Sequence, residues 1–299
     1  MLFSKKAKLA PYIKQLLINR WHNFLLNSTS NISNKFIAEN GKYLAIFAHD
    51  RNSHFVNFFG RPEKTSMDII FDFFKKNNFI NKNADTALDI GANIGMHSIL
   101  FSKYFKFVLS FEPHPLIYKL LEFNLNNYAR NVKSFNFGLG SETRISYLNV
   151  RNNIGGGFVS LSPVKNHENF LVKIKNAKNL RFLRDKNIKL IKVDTEGSEF
   201  EILNSLVSLI NLNHPAIIFE DWETKKTIKS SSIKLLESLG YNFYIPTKLP
   251  KRTNYFLVNI FNVIFLKKSM ALLDLNFESE NGYEIILGLH KSFKPFHQS

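Results

Sequence analysis

No cysteine occurs among the 299 residues, which removes disulfides, thiolate zinc sites and cysteine nucleophiles at once. Nine histidines are present, yet none falls in the His-Glu-x-x-His spacing that sets two metal ligands on one helix face. Acid is scarce too: 24 Asp and Glu stand against 40 Lys and Arg, a formal charge of +16. Such an excess raises nucleic acid or an anionic membrane as partners. The lysines are spread along the chain and form no single block, so dispersed surface charge accounts for them. The hydrophobic run Tyr255 to Leu266 has twelve residues, two of them asparagine, where a membrane-spanning helix needs about 20. No internal repeat or low-complexity linker marks a second domain.

What is present is ordinary globular material: 44% hydrophobic and 14% aromatic residues, enough for one large domain with appendages. Near the amino end Leu9, Ile13, Leu16, Leu17, Trp21 and Phe24 recur at helical spacing, with Lys14, Gln15, Asn19 and Arg20 between them. Those polar interruptions exclude a signal-peptide core and leave a basic amphipathic helix, which packs on its own domain or lies on an anionic membrane. The segmentation that follows is an extension over 1–40, a main domain over 41–268 and a tail over 269–299. Within the main domain, "KYLAIFAHD" and "HFVNFFG" pair as a hairpin lead-in over 41–60.

Short apolar runs alternating with helical patterns predict an α/β fold with a mostly parallel sheet. The expected strands are Thr86 to Ile90, Phe107 to Phe111, Lys133 to Phe137, Ile188 to Val193, Ala216 to Phe219, Tyr241 to Ile245 and Asn262 to Leu266. One helix opens at Pro115 with Leu116, Ile117, Leu120, Leu121 and Leu125 lining a face, another follows Ser198, and a third runs from Ile228 to end at Gly240. Between the third and fourth strands, "RISYLNV" alternates and leads into a three-glycine loop.

The stretch "TALDIGANIGMHS", Thr86 to Ser98, leaves the first strand and enters a helix. It lacks the Gly-x-Gly-x-x-Gly of dinucleotide folds. Gly91 and Gly95 nevertheless let backbone approach a ligand, and Asn93 is the non-glycine residue best able to take positive φ. Together they suit a nucleoside without a pyrophosphate. Glu112, ending the second strand in "VLSFEPHP" 23 residues after Asp89, can accept hydrogen bonds from both ribose hydroxyls.

The ordered set "ALDIGANIGMHS", "FEPHP", "FNFGLGS", "IKLIKVDTEGSEFEIL" and "PAIIFED" resembles the FkbM-type S-adenosylmethionine-dependent methyltransferases, over Gly60 to Ile245. The resemblance implies a Rossmann-like class I methyltransferase fold, a mostly parallel seven-stranded sheet with helices on both faces. It implies S-adenosylmethionine as cofactor and O-methylation of a sugar or natural-product hydroxyl. By the same carry-over Asp89, Gly91, Asn93 and Gly95 line the methionine part, Glu112 binds the ribose, Gly138 and Leu139 lie beside the adenine, and Glu63 stands near the cofactor. The cofactor half then covers 84–140, a substrate loop 141–175 and the catalytic half 186–268.

Methyl transfer to a hydroxyl needs in-line positioning in a dry pocket and a base for the proton. The fourth strand ends in "KVDTEGSEFE". Asp194, which also borders the cofactor, and Glu196 pair as general base and acceptor orienter. Glu201 reads as helix-dipole complement, and Glu199 as a substrate contact. Glu220 or Asp221 would face Asp194 across neighbouring strand ends. Such a pair permits a divalent metal without requiring one. His97 and His114 adjoin the cofactor motifs in structural roles, and Asn153 in the glycine loop offers a substrate contact. The expected partner is a small-molecule or glycan acceptor in the cytoplasm, with peripheral membrane contact through the amino-terminal helix. Two other readings are an RNA ribose methyltransferase and a cofactor-binding scaffold. The fourth strand is followed by "DTEG" and not by a proline-aromatic pair, which argues against base methylation.

Overall fold

The computed structural model describes residues 15–25, 27, 44–47, 56, 63–150, 157–223, 229–249, 269–275 and 283–294. The chain divides into two units, Met1–Pro62 and Glu63–Ser299. In the first, residues 15–25 form the expected helix, with Trp21 edge-on to Phe24 at 5.9 Å between ring centroids. The lead-in hairpin lies almost wholly outside the described residues, and its segment groups with the first unit, not with the main domain.

The second unit opens with α1 (Lys64–Lys76), β1 (Thr86–Ile90), α2 (Met96–Ser102), β2 (Phe107–Phe111), α3 (Pro115–Tyr128) and β3 (Val132–Phe135). A second group follows: β4 (Gly138–Gly140), β5 (Arg144–Val150), β6 (Gly157–Ser160) and β7 (Glu168–Asn176). The remaining elements are β8 (Ile188–Val193), α4 (Glu199–Ser205), α5 (Val207–Asn213), β9 (Ala216–Asp221), α6 (Ser231–Ser238), β10 (Tyr241–Leu249), β11 (Ser269–Asp274) and β12 (Tyr283–His290).

The main sheet has eight strands in the order β11-β10-β12-β9-β8-β1-β2-β3. Strands β3, β2, β1, β8 and β9 are parallel, while β12 runs antiparallel between β9 and β10. From β1 the chain winds outward to β3, then returns to the other side of β1 as β8. That reversal opens a crevice beyond the carboxyl ends of β1 and β8, where ligands of such sheets bind.

Alternation along the strands sends side chains to two apolar layers. Leu88, Ile191 and Phe219 meet α4, α5 and α6 through Ile202, Ile210 and Leu236. Ala87, Val108, Leu190 and Ile218 meet α1 and α2 through Met67, Ile70, Phe74 and Phe101. Every residue of β1 is buried, as expected of a central parallel strand.

The strand count, the tail and the start of the third helix differ from expectation. The sheet gains an eighth strand, and β11 and β12 both come from the segment read as a tail. Its run from Ile285 to Leu289 is buried, and that apolar run was the available signal. The expected strand Asn262 to Leu266 lies outside the described residues. The third helix starts at Ser231, where the Ser230 hydroxyl accepts from the Ile233 N–H at 3.2 Å, and Ile228 lies outside the described residues.

"RISYLNV" belongs to a separate four-stranded sheet, β4-β7-β5-β6, with Leu148, Val172 and Ile174 as its small core. Glu201 ties this sheet to α4. Its carboxylate accepts from Arg144 Nη1 at 2.9 Å and Nη2 at 3.2 Å, and from the Ser141 N–H at 2.9 Å. The Arg144 bonds, followed by those of Ser141, hold its pKa down at about 2. The helix-dipole reading of Glu201 missed a partner 57 residues away in the chain.

Candidate active site

The loop after β1 is tied to the end of β2. The N–H groups of Gly91 and Ala92 both donate to the Phe111 carbonyl at 3.0 Å. Gly91, Asn93 and Gly95 all take positive φ, at 78°, 49° and 95°. Gly91 has no alternative: a Cβ there would lie 1.8 Å from the Asp194 carbonyl oxygen. Asn124 of α3 clamps the far side, donating to the Ile94 carbonyl at 2.8 Å.

Glu112 is buried at the end of β2 and accepts from the N–H of Asn93 at 2.9 Å and of His114 at 2.8 Å, one on each oxygen. Burial, with smaller contributions from Asp194 and Asp89, outweighs those bonds and pushes its pKa up to about 7. Each oxygen keeps a further lone pair for an incoming hydroxyl. Gly138 lies where a Cβ would meet Ile174 Cδ1 at 2.8 Å, and Leu139 is buried beside it in β4.

On the sheet face covered by α1 and α2, the apolar pattern turns polar at the strand ends. Asp89 is fully buried; its Oδ2 accepts from Ser98 at 2.5 Å, and Ser98 in turn meets Ser110 at 2.7 Å. Asp89 Oδ1 has no hydrogen-bond partner, but Lys192 Nζ stands 3.8 Å away, on the residue that pairs with Asp89 across β1 and β8. Lys192, 3% exposed, donates to Asp194 Oδ2 at 2.9 Å. Burial opposes its charge, yet Asp194, Asp89 and Glu63 together hold the ammonium well above the ordinary lysine range. Glu63 stands at φ 51° at the start of α1, its Oε2 3.2 Å from His97 Nε2 but without hydrogen-bond alignment.

The acidic loop after β8 is separated into distinct roles. Asp194 is partly open. Glu196 is exposed in a strained turn at φ 55°, followed by Gly197 at φ 108°. Glu199, expected at the substrate, folds back on this turn: it accepts from the Thr195 and Gly197 N–H groups at 2.9 and 3.0 Å and from the Thr195 hydroxyl at 3.0 Å. Its carboxylate braces the loop that carries Asp194 and Glu196.

Across the crevice, Val193 pairs with Phe219, so Asp194 and Glu220 come next on adjacent strands. Burial first, then the Asp194 charge, pushes the Glu220 pKa up to about 8. Trp222 donates its indole N–H to Glu220 Oε2 at 2.9 Å. Asp221 points elsewhere, accepting from Ser230 Oγ at 2.7 Å and the Glu223 N–H at 3.0 Å; Glu220, not Asp221, is the acid beside Asp194. Among the described residues no three His, Asp or Glu side chains gather as a metal-holding group. His114 caps α3, its Nδ1 accepting from the Leu116 N–H at 3.2 Å. Asn153 lies outside the described residues.

Sequence reading missed Lys192 and Trp222. A lysine inside the apolar run "IKLIKV" was the signal for the first, since a charge in a central strand must be paired.

A model of the methyltransferase FkbM domain matches residues 89–243. A curated relative, methyltransferase sdnD of Sordaria araneosa, is 27% identical over 193 residues, 52% of this chain and 73% of that protein. The structure of methyltransferase FkbM from Methylobacillus flagellatus KT is 15% identical and covers 70% of this chain at a TM-score of 0.40. This chain spans only 44% of that protein's length. TehB from Haemophilus influenzae is 11% identical, covering 80% of this chain and 66% of its own at a TM-score of 0.38.

Proposed function

The chain belongs to the FkbM methyltransferase family, and from that premise we propose that it moves the methyl group of S-adenosylmethionine to a sugar hydroxyl. The observation that carries this reading is Glu220: a carboxyl with its pKa near 8, beside Asp194, at the crevice of the sheet. A base poised close to working pH is what a hydroxyl acceptor demands.

The residues fit the cofactor. Glycines at 91 and 138 leave no Cβ where backbone and neighbouring side chains close in, Asp89 Oδ1 is a buried acceptor without a hydrogen bond, and Glu112 retains acceptor capacity for the ribose hydroxyls. When bound, S-adenosylmethionine supplies an electrophilic methyl on a sulfonium. Lys192 holds Asp194 in place through its hydrogen bond, Glu199 holds the turn, and Glu220 takes the proton from the acceptor oxygen. A metal is not part of this reading.

The pH dependence follows from the signs. Below its pKa of about 8 Glu220 holds a proton, so the rate should climb from pH 6 to 8 and level off above. Below its pKa of about 7 Glu112 is protonated and has fewer acceptors for ribose, so cofactor affinity should climb between pH 6 and 7.5. Calorimetry with S-adenosylmethionine is expected to show saturable binding, weakened about 10- to 100-fold in Glu112→Gln by the loss of charged hydrogen bonds. No binding in the unaltered protein sinks the proposal.

A second element concerns where the acceptor sits. No acid precedes Glu39, whereas Lys5, Lys6, Lys8, Lys14, Arg20 and Lys35 do. That charge, with the Trp21 and Phe24 rings on the helix at residues 15–25, suits an anionic bilayer carrying a lipid-linked sugar. The full chain is expected to sediment with phosphatidylglycerol vesicles and not with phosphatidylcholine vesicles; equal behaviour with both removes the membrane role.

A further inference from the structure

Trp222 is an unusual place for a large ring. It is 50% exposed, at the carboxyl end of β9 where the crevice opens. A ring with no other anchor would swing freely, yet its indole N–H is fixed on Glu220 Oε2 at 2.9 Å. The plane of the indole is thereby set relative to the acid that stands beside Asp194. Trp222 makes no ring-on-ring contact among the described residues and stays outside the two main apolar clusters. Phe200, 45% exposed, sits in the first turn of α4 on the loop after Asp194, so a second open ring belongs to the same end of the sheet.

We propose that Trp222 is the platform on which one face of a pyranose ring of the acceptor rests, orienting a ring hydroxyl toward Glu220. This rests on the methyl-transfer reading above and adds the residue that receives the acceptor's ring. A pyranose has a face of C–H groups and an edge of hydroxyls. The C–H face carries slight positive charge and meets the negative face of an aromatic ring. Its hydroxyl edge then projects past the ring toward the carboxyl group that the indole itself holds. A nucleobase also stacks on tryptophan, but its strand would bring phosphates toward the carboxylates of Glu196 and Asp194, and like charges repel. A neutral polyhydroxyl ring meets no such opposition and donates to those same oxygens. The role is positioning: Trp222 acts on the reaction through where the acceptor lies.

The chain contains two tryptophans, so Trp21→Phe leaves Trp222 as the only indole emitter. This variant, with S-adenosylhomocysteine binding checked by calorimetry, is titrated with the methyl glycosides of glucose, galactose, mannose and rhamnose, and separately with a short oligouridylate. A saturable change in emission with at least one glycoside, and none with the oligonucleotide, is the expected result. With the responsive glycoside as acceptor, Trp222→Ala should raise KM about tenfold and change kcat much less, the pattern of lost positioning. Trp222→Phe should restore most of the KM. Silence toward every glycoside while S-adenosylhomocysteine binds overturns the platform and leaves the methyl-transfer reading intact. Saturation by the oligonucleotide alone overturns it in favour of an RNA acceptor. Failure of S-adenosylhomocysteine to bind overturns both.

Discussion

Lys192→Met is expected to destabilise the protein by about 3–5 kcal/mol, the cost of leaving buried charge without its partner. The ammonium stands 2.9 Å from Asp194 and 3.8 Å from Asp89, and Glu63 also lies within its field. Methionine matches the volume of the stem and removes the charge, so packing is not the main variable. The difference from the parent is read by urea unfolding. Adding Asp194→Asn to Lys192→Met should cost less than the sum of the two single changes, since each removes the same interaction. Methyl transfer should fall with Lys192→Met even at temperatures where the fold persists, because Asp194 loses the group that orients it. A strictly additive pair would falsify the assignment of Lys192 as the counter-ion of the crevice.

Gly91→Ala is expected to be the most damaging single methyl group that can be added to the loop. Two effects combine there. Positive φ costs a side chain about 1–2 kcal/mol, and the new Cβ would sit 1.8 Å from the Asp194 carbonyl oxygen, an atom of backbone that moves only if the ends of β1 and β8 part. A total above about 4 kcal/mol, the range of exceptional substitutions, follows. Gly95 supplies the control, because it too has positive φ but its Cβ would meet Leu121 Cδ1 at 2.8 Å, the flexible tip of a side chain. Gly95→Ala should thus cost only about 1–2 kcal/mol of backbone strain. Thermal melting of the two variants side by side decides the matter, and equal melting temperatures would mean that the strand ends yield easily.

The strands around the crevice were readable because they are buried on both faces. β1, β2 and β8 begin and end where the apolar runs do, and their glycine and acidic endings named the cofactor side. Positions governed by distant partners were not readable. Glu201 resembled any acid in a first helical turn until Arg144 came to meet it from the second sheet. Asp221 and Glu220 are adjacent, and only the pleat of β9 decides which one stands beside Asp194. Glu199 looked as available as Glu196, because a side chain that bends back to its own turn leaves no mark in spacing. The second sheet escaped notice for a related reason: β4 is three residues long, too short for periodicity to register.

Strand β12 occupies the gap between β9 and β10, although both precede it in the chain. The order of synthesis therefore leaves β9 and β10 each with an open edge while some 40 residues beyond β10 emerge from the ribosome, residues 250–290. During that interval the half-built sheet offers unpaired N–H and carbonyl groups beside apolar side chains, the state most prone to pairing with other chains. Closing it requires contacts far apart in sequence, which form slowly. Yield of folded protein in the cell should then be governed less by the cofactor crevice than by how quickly residues 283–290 find their slot.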